Sequence, residues 1–130
     1  MYSRSLIVML LVLPLVYACN KKKEEFDEKL SGIQFVEVSF SETRAGENLP
    51  IKVVLAASNE CGEFNRFEEN WVDENTVEVK TYLRYPKEGM CPQVIKRVEQ
   101  IYNFTPKKAG VYIVKFYAGG PYLSERIVVR

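Results

Sequence analysis

The sequence predicts an all-β protein, an antiparallel sandwich of about seven strands. Two observations carry that prediction. From about residue 32 onward apolar residues recur with period two rather than 3.6. Clusters of turn-forming residues interrupt the alternation about every ten positions.

The clearest element is "TVEVKTYLRY", residues 76–85, in which Val77, Val79, Thr81, Leu83 and Tyr85 share one face and Glu78, Lys80, Tyr82 and Arg84 the other. This is the pattern of a half-buried antiparallel strand. Further strands are expected at 36–41, 51–57, about 64–72, 94–104, 111–118 and 122–129. The separators are "RAGENLP", "SNECG", "DEN", "YPKEGMCP", "TPKKAG" and "AGGP". Two strands are less regular. "VIKRVEQIYNF" holds no single phase, which suggests a bulge, and "GEFNRFEENW" is the weakest pattern.

The first 31 residues have a different character. Residues 1–5 carry one charge, Arg4, and residues 6–16 are apolar, interrupted by Pro14. Such a run is shorter than the roughly 20 residues a membrane-spanning helix needs, and suits the core of a signal peptide. Val16-Tyr17-Ala18-Cys19 resembles the lipobox of bacterial lipoproteins. That resemblance implies removal of residues 1–18 and acylation of Cys19, which becomes the mature N-terminus. Valine in place of the commoner leucine and the bulk of Tyr17 depart from the usual pattern; a plain secretory signal with an incidental cysteine is the alternative.

Residues 19–31 then read as the lipidated cysteine and a polar tether, and 32–130 as the sandwich. Lys23-Glu24-Glu25 after the cysteine resembles the surface-export signal of some Gram-negative lipoproteins, a short motif that a solvated tether also explains. Residues 24–30 have the composition for one or two helical turns, which are marginal in isolation. Loss of residues 1–18 removes one base, Arg4, from the 18 bases and 17 acids of the whole sequence, leaving 17 of each. A neutral chain lacks the basic excess that nucleic acid selects, so no nucleic-acid partner is expected.

With Cys19 acylated, Cys61 and Cys91 remain. In an exported protein an even remainder predicts one disulfide, with two free thiols as the alternative. If consecutive strands reverse direction, the turns after the second and fourth predicted strands lie at one end, which brings Cys61 and Cys91 together.

At "TPKKAGVYIV" the chain resembles the immunoglobulin-like superfamily, with Gly110-Val111-Tyr112 matching the tyrosine corner at the start of the sixth strand. The resemblance implies an immunoglobulin-like sandwich in which the Tyr112 hydroxyl bonds backbone just upstream. Val114 stands where an immunoglobulin domain has cysteine. The disulfide is therefore expected to pin turns and not to bridge the sheets. The cysteine pair and the "F-T-P-x-x-A-G-x-Y" segment also resemble small lipidated bacterial proteins with a single such domain, a group with no assigned activity that supplies no functional residues.

The absence of histidine removes the commonest general base, the usual zinc ligand and the Ser-His-Asp arrangement. No phosphate-binding glycine loop, dinucleotide fingerprint or CxxC is present. Glu68-Glu69 and Asp73-Glu74 flank Trp71, but neighbours in a strand point to opposite faces, so neither pair converges. The spacing of Asp73, Glu74 and Asn75 matches no calcium loop. Trp71, the single tryptophan, is expected in the core, since sandwiches commonly bury one on the third strand.

The expected contact site is a rim at the disulfide end, formed by Tyr85, Met90 and Tyr122, with Tyr82 on the polar face of its strand. Rigid loops carrying aromatic side chains lose little entropy on binding. The expected protein is a non-catalytic binding or accessory module without cofactor or metal. It is held in the bacterial envelope by Cys19, on the periplasmic face of the outer membrane or at the cell surface, with an unknown protein or glycan partner. The alternatives are an inhibitor of an extracytoplasmic hydrolase and a carboxylate-based glycosidase.

Overall fold

Alternation decides the central strand. In the computed structural model, which describes residues 23–130, the predicted inward residues Val77, Val79, Thr81, Leu83 and Tyr85 are all buried. The strands are β1 (Phe26–Ser31), β2 (Ile33–Val38), β3 (Glu42–Thr43), β4 (Leu49–Ala57), β5 (Glu63–Asp73), β6 (Thr76–Pro86), β7 (Lys96–Phe104), β8 (Gly110–Tyr117) and β9 (Tyr122–Val129). They form two sheets. One has six strands, in the order β1-β6-β8-β9-β3 with β5 also paired to β6; the other has three, β2-β4-β7.

The core lies between the sheets. Ile51, Val53 and Leu55 of β4 face Val77 and Val79 of β6, Val114 and Phe116 of β8 and Ile127 of β9. A smaller cluster of Ala57, Leu83, Tyr85 and Val98 fills the disulfide end. Each buried aliphatic side chain contributes roughly 1.5–3 kcal/mol, so this alternation accounts for most of what holds the fold.

All seven predicted strands are present, and the sandwich class holds. One neighbour relation differs from an immunoglobulin domain. There the sixth strand lies against the third; here β8, the sixth predicted strand, lies parallel to β6, the fourth, from Thr76↔Ile113 to Val79↔Phe116. The tyrosine corner is present: the Tyr112 hydroxyl donates to the Lys108 carbonyl at 2.8 Å.

The bulge expected in β7 is absent. Its pairing with β4 runs unbroken from Leu49↔Phe104 to Ala57↔Lys96. The broken phase arises because Val94 and Ile95 precede the strand and belong to the loop.

The tether is shorter than its sequence suggests. Residues 26–31 form a strand, not a helical turn, pairing with β6 from Phe26↔Pro86 to Ser31↔Thr81. Because β8 covers β6 only as far as Val79, the rest of that edge is open, and β1 fills it. Gly32 then carries the chain to the other sheet. A Cβ there would lie 2.7 Å from the Gly119 nitrogen and 2.8 Å from the Ala118 carbonyl carbon, so only glycine fits this crossing.

The strands run between two ends. One holds the Cys61–Cys91 disulfide, with Cα atoms 5.7 Å apart, joining the β4–β5 and β6–β7 connections. The described chain begins at that same end, where the Lys87 amide donates to the Glu25 carbonyl at 3.0 Å. The other, distal end carries the β5–β6 turn and the β7–β8 loop. Eleven residues of β6 at about 3.3 Å each separate the two ends by roughly 35 Å.

Candidate functional site

The four residues of the predicted rim do not meet. Tyr85 is only 7% exposed, and its hydroxyl accepts the Ser58 amide at 3.0 Å. It belongs to the core because it continues the inward phase of β6, and its assignment to a contact rim is corrected. Tyr82 lies on the outer face of the six-stranded sheet, with the Arg66 guanidinium 4.1 Å from its ring centroid. Tyr122 packs edge-on against Tyr117 at 5.8 Å beneath the Lys115 ammonium. The registers of β8 put Tyr122, opposite Tyr117, level with Lys80, six residues short of Pro86, which keeps it roughly 20 Å from that end. Met90 alone stands fully exposed there, at 100%. The Cys61–Cys91 bond is formed as expected; Cys19 lies outside the described residues.

Trp71 corrects a second expectation. It has the inward phase of β5: Phe67 packs on Tyr102, Glu69 accepts a hydrogen bond from the Tyr102 hydroxyl, and Trp71 meets the edge of Tyr112 at 6.4 Å. Yet it is 45% exposed. The reason is sheet width. The opposite sheet has three strands against six and ends at β7, whose Tyr102 meets Phe67 and Glu69. The aromatic partner of Trp71 is instead Tyr112 of its own sheet, so the last residues of β5 run past the facing edge. A register shift between Trp71 and Asp73 also bends the strand at this point.

Trp71 therefore lines an open cleft of about 600 Å³ at the distal end, with Asp73, Glu74 and Asn75 on one side and residues 105–109 with Tyr112 on the other. Its walls are held by short-range bonds. Asp73 Oδ1 accepts the Asn75 amide at 2.8 Å, and the Asn75 carbonyl accepts the Ile113 amide at 2.8 Å. The Gly46 amide donates to the Pro106 carbonyl at 2.7 Å, Thr105 Oγ1 donates to Asn48 Oδ1 at 3.2 Å, and the tyrosine corner fixes Lys108.

The rim offers the Glu74 carboxylate, the Asn75 amide and the Lys107 and Lys108 ammonium groups around an indole. Such a surface provides an apolar platform with hydrogen-bonding groups of both signs, suited to holding a polar ligand by one face. Among the described residues no group of three His, Cys, Asp or Glu side chains is placed to hold a metal. The signal for the site was present in the sequence: Trp71 sits in the run Glu68-Glu69-Asn70-Trp71-Val72-Asp73, where no second core-sized residue accompanies it inward.

Two sheets around one core, a tyrosine corner and a disulfide between turns define a small β-sandwich domain. Residues 51–128, from β4 to nearly the end of β9, match the family described as the ORF11 beta-sandwich domain, and the chain belongs to that family. No curated protein matches the chain, and no solved structure does.

Proposed function

We propose that the protein is a non-catalytic binding module, held in a bacterial envelope by an acylated Cys19, and that the distal cleft around Trp71 is its contact surface. The single observation that carries this proposal is that the only tryptophan stands half-exposed in a rigid cleft at the end opposite the tether. A protein tied to a membrane by one end meets partners with the other.

The bonds of the neighbouring acids favour binding over catalysis. Glu69 holds Tyr102, Asp73 closes the β5–β6 turn, and Glu68 pairs with Arg66 at 3.3 Å. These three carboxylates are engaged in structure, which leaves Glu74 on the rim as a single acid and not the facing pair that glycoside hydrolysis uses. The partner class is a protein or glycan of the envelope.

The test compares capture from native envelope by the full-length protein, by Trp71→Ala and by Tyr82→Ala as a control on the outer sheet face. A partner retained by the parent and the control but lost with Trp71→Ala supports the proposal. Equal recovery by all three removes the cleft from the contact.

A further inference from the structure

The tether end carries a feature that the cleft does not use. Within six residues of the β6–β7 loop, Met90, Val94 and Ile95 are 100%, 58% and 75% exposed. The loop holding them is rigid. Cys91 is bonded to Cys61, the Glu60 amide donates to the Pro92 carbonyl at 3.0 Å, and Lys96 Nζ donates to the Glu60 carbonyl at 3.3 Å. Ile95 also borders a groove with Leu30, Ala57 and Tyr85. A rigid loop presenting adjacent bare aliphatic side chains is costly in water unless something covers it.

We infer that this loop docks on the lipid bilayer, seating Met90, Val94 and Ile95 at the headgroup–acyl boundary; the inference rests on the anchoring through Cys19 proposed above. Where the chain leaves the fold selects this occupant. Phe26 of β1 lies opposite Pro86, beside the loop. Only residues 20–25 separate Cys19 from Phe26, a span of at most about 25 Å when fully extended. The distal cleft stands roughly 35 Å beyond, so an acylated Cys19 brings the loop, not the cleft, to the lipid surface.

The docking is apolar. Within the loop Lys87 is paired with Glu25 at 3.7 Å and offset by Glu88, so the loop itself carries no net positive charge. Lys21-Lys22-Lys23 of the tether would add attraction only for anionic lipid, which phosphatidylcholine does not provide. Side chains of this kind seat about 5–10 Å into the interface.

The lone tryptophan supplies the test. The mature chain from Cys19, with Cys61 and Cys91 bonded, has one free thiol. Coupling that thiol to a maleimide phospholipid in phosphatidylcholine vesicles anchors the protein whether or not cells acylate it. In vesicles with brominated acyl chains, emission from native Trp71 stays unquenched. Emission from the Trp71→Phe/Ile95→Trp variant loses most of its intensity, and the loss is the same at low and high salt. Trp71→Phe/Met90→Trp, which alters a fully exposed position, gives a second reporter should the Ile95 variant fold poorly.

Unquenched emission from both reporters in folded protein, or equal quenching at Trp71, overturns the inference. A mature protein from cells found without acyl chains would instead overturn the anchoring proposal, leaving the vesicle result standing.

Discussion

Replacing both Cys61 and Cys91 with alanine should lower stability by about 3.6 kcal/mol. The bond closes a loop with a sequence separation of 30, and the chain-entropy relation for that length gives this value at 25 °C. The effect arises mainly in the unfolded chain, because Cys61 and Cys91 are only partly buried and neither is a member of the neighbouring cluster of Ala57, Leu83, Tyr85 and Val98. For a small domain with a urea dependence of about 1–3 kcal/mol per molar, the midpoint should fall by roughly 1–4 M. Far-UV circular dichroism during urea unfolding measures it, with the parent under reducing conditions as a second comparison.

The slope provides an independent check. Without the link the unfolded chain exposes more surface, so the dependence on urea should steepen as the midpoint falls. A midpoint within a few tenths molar of the parent's would refute the reasoning. A full fall with an unchanged slope would move the stabilisation from the unfolded chain to contacts of the folded loop.

Gly32→Ala should destabilise by about 1–3 kcal/mol or prevent folding, since its Cβ would collide with the backbone of residues 118–119 and no flexible side chain can yield; thermal melting measures it. Tyr102 is buried, and that burial, with the Glu69 carboxylate beside its hydroxyl, holds its pKa well above the usual tyrosine value. Its contribution is therefore complete below about pH 10, where the unfolded tyrosine titrates. It declines above that by about 1.4 kcal/mol per pH unit, a decline that Tyr102→Phe should remove from the alkaline stability profile. Cys19→Ser should release the mature protein from membranes, which fractionation of expressing cells reads directly; retention of the variant would contradict the anchor.

What was legible in the sequence follows from burial. β6 was fully readable because both faces obey one alternation, and the disulfide end followed from strand direction alone. β1 was not, because "FDEKLS" turns Asp27 and Lys29, not apolar residues, toward the same side as Leu83 and Tyr85. Its place is decided by the backbone edge that β8 leaves open on β6, a feature of topology that no local pattern encodes. Val94 and Ile95 misled for the opposite reason: they are apolar but precede the strand, so they blurred a phase that Val98, Tyr102 and Phe104 keep cleanly. The cleft was legible only in part, through the lack of a second core-sized residue on the inward face of residues 68–73. Trp71 has a core residue's phase, and only the unequal width of the two sheets leaves it in solvent.

The most direct test of a module anchored at one end and binding at the other is site-specific photocrosslinking in the native envelope. Benzoyl-phenylalanine in place of Glu74, at the cleft, should give a discrete adduct with a protein or glycan. The same probe in place of Met90 should give lipid adducts alone. Macromolecular adducts from position 90 with none from position 74 would contradict the account.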